Sequence, residues 1–133
     1  PTKTEIRAIF APLSVPDGDA FFVHVADDVH WTVMGHHPLA GRYTSKQAFI
    51  DGTFQRLGRT MKQPIKLVLQ NVVGGGQENH GVVELKAVAV CKNGLDFDNR
   101  YAWVVKFNLE RKIVQVHAYL DSELVKRALE ENE

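Results

Sequence analysis

Sulfur is scarce: one cysteine, Cys91, and two methionines. No disulfide can form within the chain, so a reducing compartment is the default. Surplus charge is missing too. Lys+Arg is 16 and Asp+Glu is 16, giving a formal charge of zero. Broad binding to nucleic acid or an anionic membrane needs a basic surplus or stripe, so neither partner is expected. No apolar run approaches the roughly 20 residues of a transmembrane helix. Pro1–Glu5 has neither a basic nor an apolar region, so no signal peptide is expected. Gly74-Gly75-Gly76 is not followed by Lys-Ser/Thr, and no Gly-x-Gly-x-x-Gly follows a strand. A phosphate loop and a nicotinamide or flavin cofactor are therefore not implied. His24, His30, His36 and His37 lack neighbouring Asp, Glu or Cys at ligand spacing, and no metal is expected.

What is present fits one globular domain, residues 1–133, without repeat, linker or low-complexity tract. The 133 residues are 44% hydrophobic and 24% charged, enough for a sizeable core without staples. The expectation is a soluble, cytoplasmic protein.

Ile6, Ile9, Phe10 and Leu13 have the spacing of one helix face, which Pro12 and Pro16 limit. A second helix is predicted to start near Pro16–Asp19, with Phe21, Phe22 and Val25 as its stripe. Val29–Met34 reads as a strand. Thr44 or Ser45 caps a third helix reaching about Met61, with Ile50, Phe54, Leu57 and Met61 inward. Ile65–Val73, Gly81–Cys91, Phe97–Leu109 and Ile113–Leu120 follow as strands, with Lys92-Asn93-Gly94 as a turn signal. Asp121 or Ser122 caps a last helix carrying Leu124, Val125, Ala128 and Leu129. Helices first and strands after predict an α+β fold: a cone-shaped barrel, its bent antiparallel sheet covered on the concave face by the helices. Such a cone holds a pocket.

Alternation divides each strand into two faces. Val83, Leu85, Ala87, Ala89 and Cys91 oppose Glu84 and Lys86. Arg100, Ala102 and Val104 oppose Tyr101, Trp103, Val105 and Phe107. Val114, Val116, Ala118 and Leu120 oppose Gln115, His117, Tyr119 and Asp121. Ala87, Ala89, Ala102 and Ala118 are small. On the concave side they either leave room for a ligand or accommodate a bulky helix side chain.

The stretch Trp31-Thr32-Val33-Met34-Gly35-His36-His37-Pro38-Leu39-Ala40-Gly41 resembles the W-x-x-x-G-x-x-P-x-x-G signature of SnoaL-like proteins. As in that family, a helix opening with Ser45-Lys46 follows. Val82–Leu85, Asn99-x-Tyr101 and Lys112-Ile113 … Tyr119-Leu120-Asp121 extend the resemblance over nearly the whole chain. The family belongs to the nuclear transport factor 2-like superfamily, which contains polyketide cyclases, ketosteroid isomerase, epoxide hydrolases and non-enzymatic members. The resemblance implies a cofactor-free isomerase, cyclase or dehydratase acting by acid/base chemistry on a small hydrophobic, polyketide- or terpenoid-like metabolite. The alternative is a non-catalytic binding or dimerisation module. It also implies a homodimer through the sheet face, where Tyr101, Trp103, His117 and Tyr119 would place unusual aromatic content. Aligned to the family, Leu85, Ala87 and Ala118 stand where epoxide hydrolases carry ionisable groups, so that activity is not expected. The acid that many SnoaL-like enzymes carry at the position of Ala118 is also missing.

Three residues are the catalytic candidates. His36 and His37 exchange protons near neutral pH, as work on an enolisable carbonyl requires. The bland alternative is that one packs beside Trp31 and the other is solvated. Arg100, if inward, holds an oxyanion; it is equally readable as an ion pair or as an outward residue. Trp31, Ala87, Ala102, Ala118, Tyr101 and Asp121 are the substrate-binding candidates. Asp121 keeps a minor role as acid/base beside its role as a cap.

Overall fold

Thr2 and Glu5 hold the first helical turn from both sides. The Glu5 amide donates to the Thr2 hydroxyl, and the Thr2 amide donates to the Glu5 carboxylate, each at 3.1 Å. This capping box opens α1 (Lys3–Phe10), which a 3₁₀ turn (Ala11–Ser14) continues. Ile6, Ile9, Phe10 and Leu13 are all buried, as their spacing predicts. The computed structural model describes residues 1–15 and 18–133. Pro16 and Asp17, expected to start the second helix, lie outside them. The described part of that helix is short, α2 (Asp19–Phe22). Val25, expected on its stripe, instead opens β1 (Val25–Val33).

A short β2 (Gly41–Tyr43) leads to Ser45, whose hydroxyl accepts the Ala48 amide at 3.0 Å and caps the next helical run. That run is α3 (Lys46–Phe49), a π-helical segment (Ile50–Gln55) and α4 (Arg56–Gly58). The wider π turn brings Phe49, Thr53 and Leu57 to the buried side, with Ile50 and Phe54 half-buried. The sheet strands follow: β3 (Lys66–Gly74), β4 (His80–Val88), β5 (Arg100–Phe107) and β6 (Ile113–Leu120). Beyond β4, the chain turns at Gly94, whose φ of +92° suits glycine. There the Gly94 amide donates to the Cys91 carbonyl at 2.8 Å. Cys91 is buried against Met61 as a small core residue. Last comes α5 (Ser122–Asn132), with Val125, Ala128 and Leu129 buried.

The six strands form one sheet in the order β2-β1-β6-β5-β4-β3. It is antiparallel except at one seam, where β1 runs parallel to β6. The α+β fold stands, with two refinements. The sheet is mixed rather than wholly antiparallel, because β1 enters beside the last strand, and a parallel pair needs a long connection. The sheet also stays open, with β2 and β3 as free edges, so the cone is not a closed barrel. Register shifts in β1–β6, β3–β4 and β5–β6 bend it.

One face of the sheet is apolar and covered by the helices. Trp31, Val83, Leu85, Trp103, Val116 and Ala118 lie there, all at 3% exposure or less. The pairing Leu85↔Tyr101, Val83↔Trp103 and Trp103↔Ala118 places neighbours on the same face. Tyr101 and Trp103 therefore look inward. Arg100, Ala102 and Val104 look outward, and the expectation that Arg100 and Ala102 face the cone is corrected. Bulk, not smallness, selects the inner face of β5: burying an aromatic side chain removes about 150–250 Å² from water, far more than burying an alanine.

Candidate functional site

A pocket opens inside the cone, at the end of the sheet where β1, β5 and β6 meet the helical run. Trp31 and Val33 come from β1, Tyr101 and Trp103 from β5, and Ala118 and Leu120 from β6. Phe49, Thr53, Phe54 and Leu57 supply the helical wall, and His37 and Leu39 the loop after β1. Val125 closes it from α5. The free space is narrow, ≈ 50 Å³. The wall is aromatic, and seating a six-membered ring requires it to open, since a cavity of about 150 Å³ is what takes benzene. Trp31 stacks on Phe49 with ring centroids 3.7 Å apart and meets the edge of Trp103 at 5.1 Å.

None of these lining residues is Asp, Glu, Lys or Arg. The polar groups are few, and each has a distinct state. The Thr53 hydroxyl donates to the Phe49 carbonyl at 2.7 Å. The His37 imidazole is held at both nitrogens: Nε2 lies 2.9 Å from the Met34 carbonyl, and Nδ1 lies 3.2 Å from the Leu39 amide. A carbonyl only accepts and an amide only donates. The hydrogen therefore sits on Nε2, and Nδ1 spends its lone pair on the Leu39 N–H. His37 lines the pocket, but it pins its own loop and offers no free base.

The remaining polar groups have no partner within the protein among the described residues. The Trp31 and Trp103 indole Nε1 atoms are buried without a hydrogen-bond partner. The Tyr101 hydroxyl also has none among the described residues. Its oxygen, unlike the two indole nitrogens, is not sealed off. Burial holds the Tyr101 phenol far above its ordinary pKa, so it is a neutral O–H donor at physiological pH. The site is thus an apolar cavity with spare donors and no spare base.

Among the other candidates, Trp31 and Ala118 are in the wall, as expected. His36 is exposed and outside it. The Arg100 side chain is 62% exposed and pairs with Asp98, Nε to Oδ1 at 2.9 Å and Nη2 to Oδ2 at 3.3 Å. Its role as an inward oxyanion holder is overturned, because its strand position points to solvent and its charge is already met. Ala87 is buried and Ala89 half-buried in the core, yet neither lines this pocket; Ala102 lies on the outer face. Asp121 caps α5, its carboxylate accepting the Leu124 amide at 3.2 Å, and lies outside the pocket. Asn99 is fully buried and clamps Asp121: its amide donates to the Asp121 carbonyl at 3.1 Å, and its carbonyl accepts the Asp121 amide at 3.0 Å. Among the described residues, no group of three His, Cys, Asp or Glu could hold a metal ion. No helix is long and apolar enough to cross a membrane among them either.

Sequence reasoning missed Trp103 as an inner-wall residue and undervalued Tyr101. The signal was available in the alternation Tyr101, Trp103, Val105, Phe107, the bulkiest apolar face of any strand. Phe49 and Thr53 were missed because the π turn shifts the stripe that a regular helix would show.

No family model matches the chain. Two fungal proteins are similar to it. The dimerizing cyclase phiC of a fungal species is 30% identical over 113 residues, 84% of this chain and 50% of its own length. The dimerizing cyclase tstC of Talaromyces stipitatus is 29% identical over 119 residues, 88% and 52% respectively. The chain spans about half the length of these curated relatives. An NTF2-like protein from Burkholderia thailandensis superposes with a TM-score of 0.78 at 25% identity, over 97% of this chain and 98% of its own. With its fold matched end to end by an NTF2-like protein, the chain belongs to the nuclear transport factor 2-like superfamily.

Proposed function

We propose that the protein is a cofactor-free, cyclase-type enzyme that closes a ring in small hydrophobic carbonyl compounds held in the apolar pocket. The observation that carries this reading is the unpartnered, neutral Tyr101 phenol in a cavity whose lining has no carboxylate and no cation. The hydroxyl has no partner within the protein among the described residues and its oxygen is open to solvent, so a ligand oxygen can take the place of water on it. Similarity to proteins named dimerizing cyclases supports the reaction class.

In this reading the chain supplies three things. The aromatic wall of Trp31, Phe49 and Trp103 holds the substrate's carbon skeleton in a conformation ready to close. The low polarity around it strengthens every electrostatic contact. The substrate reacts as its enol. As the C–C bond forms and the acceptor C=O π bond opens, Tyr101 donates to the acceptor oxygen, and the enol O–H proton passes through water to that oxygen. The donation is typically worth about 10²–10³ in rate. His37 stays an orienting residue. Using it as a base would first break its bond from the Leu39 amide.

The lack of a free base favours a second reading, a non-catalytic binding module built on the same pocket. A simple cyclisation separates the two. 2,6-Heptanedione closes by intramolecular aldol condensation to 3-methyl-2-cyclohexenone, losing water, and the enone is followed by its absorbance. The enzyme reading expects acceleration over buffer at matched pH, lost in Tyr101→Phe and in Ala118→Trp, which fills the pocket. Acceleration that survives in both variants, or no acceleration at all, overturns it; no acceleration leaves the binding reading.

We also propose that the chain forms a homodimer through the outer face of the sheet. Only His117 and Tyr119 of the aromatic residues expected there face outward, since Tyr101 and Trp103 turn inward. The support is the strip where Tyr119, 48% exposed, lies beside Ala102, and Val104 beside Val82.

A further inference from the structure

We propose that the outer face of the sheet carries a second ligand site, an oxyanion-binding groove built from His30, Arg42, Lys106 and His117. It is independent of the inner pocket and of the reaction assigned to it. The register brings these residues together from four strands. Arg42 of β2, Thr32 of β1 and His117 of β6 stand in one row, since Thr32 pairs with both of the others. His30 of β1, Gln115 of β6 and Lys106 of β5 stand in the next, since Gln115 pairs with both. Neighbouring strands lie about 4.8 Å apart, so each row crosses about 10 Å and the two form one patch. All six residues line a single groove of ≈ 460 Å³, with Val114 as its apolar member.

The groove's charge is uncompensated. A guanidinium, an ammonium and two imidazoles line it, with no carboxylate among the lining residues. Asp28, two positions before His30 on β1, is exposed and outside the lining. Elsewhere Arg56, Arg100, Arg111 and Arg127 each meet a carboxylate. Among the described residues Arg42 meets only an imidazole, its Nη2 lying 2.5 Å from His30 Nδ1. A guanidinium is always protonated, so His30 accepts there as a neutral ring, a weaker partner than an anion. Gln115 Nε2 lies 2.8 Å from His117 Nε2, and the amide donates to a ring whose Nδ1 then carries the hydrogen. Lys106 has no hydrogen-bond or ion-pair partner among the described residues. In a chain of zero formal charge, this is a local surplus of donors.

A planar fork, a point charge and flanking N–H and O–H donors suit one chemistry, the oxyanion of a carboxylate or phosphate group. Arg42 would hold two oxygens, Lys106 would meet the charge from the far side, and Thr32 and Gln115 would complete the contacts. The apolar strip proposed for pairing begins at Val104 and Tyr119, beside the groove.

The test is NMR of the histidine ring signals during titration with inorganic phosphate and, separately, succinate, at fixed pH and ionic strength. The expected result is a saturable shift confined to His30 and His117. The apparent affinity should fall at least about fivefold in Arg42→Gln and in Lys106→Gln. Both side chains are exposed, so these variants should retain the wild-type spectrum elsewhere. The phosphate and succinate arms show which group the groove prefers, and saturation by either one supports the site. An equal shift at exposed His36, shifts unchanged in both variants, or no shift with either anion would overturn it. A dimer whose His30 and His117 signals ignore both anions would likewise assign the groove to the interface and overturn it.

Discussion

Two partners compete for the Tyr101 hydroxyl. Water, which reaches its oxygen, takes the O–H in the free protein; a ligand oxygen that displaces this water adds about 0.5–1.5 kcal/mol to binding. Tyr101→Phe should therefore leave the melting temperature equal or higher while weakening ligand binding and slowing turnover. A variant that unfolds more easily would mean that the hydroxyl has a structural partner. The phenol also titrates late. Its pKa is raised in the fold by burial, as is that of Tyr43, whereas in the unfolded chain tyrosine ionises near pH 10. The fold keeps this proton more tightly, so the contribution is intact below about pH 10 and is lost as pH rises beyond it. Denaturant unfolding between pH 9 and 11.5 should show this fall, smaller in Tyr101→Phe. At this scale the sequence was legible in type and ambiguous in direction. A shift of one residue in β5 exchanges Arg100 for Tyr101 and turns a cationic site into a neutral one. Choosing the small face as the concave one got Ala118 right and Ala102 wrong.

Two elements frame the pocket through contacts that make specific demands. The first is the junction of β6 and α5, where Asn99 clamps Asp121 and Asp121 caps the helix. Asp121→Ala should cost about 1 kcal/mol, the usual value of an N-cap, with pocket binding unchanged. Asn99→Ala should cost more, about 2–4 kcal/mol, because it removes a fully buried group and leaves both backbone partners of Asp121 unmet. Thermal or urea unfolding of the two variants checks the order; an Asp121→Ala variant with full stability and lost activity would return the residue to catalysis. The second element is the π segment. A Cβ on Gly52 would stand 2.7 Å from the Tyr43 ring, which is pinned by its hydroxyl bond to the Leu39 carbonyl at 2.8 Å. Gly52→Ala should cost about 1–3 kcal/mol and distort the wall at Phe49 and Thr53. The limits of β6, the cap of α5 and the buried face of α1 follow from local rules, and the sequence showed them. The π turn and the early end of β4 do not, since both depend on what packs against them.

At the level of the whole molecule, helices before strands predicted the α+β class, and the signature around Trp31–Gly41 predicted its family. The parallel seam was not legible. Nothing local in β1 shows that its neighbour is a strand about ninety residues later, because that pairing depends on the helices between filling the concave face. The outer face carries two separate expectations. Light scattering at micromolar concentration should show a dimer, and Tyr119→Glu, which places a charge in the apolar strip, should shift it to monomer without unfolding it. A wild-type monomer would end the proposal of pairing.

The inner pocket has a built-in reporter. Both tryptophans of the chain, Trp31 and Trp103, line it, so intrinsic fluorescence responds to what enters. The decisive measurement is a fluorescence titration with 3-methyl-2-cyclohexenone, run on the wild type, Tyr101→Phe and Ala118→Trp. A saturable change, weakened about 3–10-fold in Tyr101→Phe and abolished in Ala118→Trp, is the expected result, the factor being that of one hydrogen bond. A titration that never saturates, or one with the same midpoint in all three proteins, would contradict a pocket that holds carbonyl compounds through Tyr101.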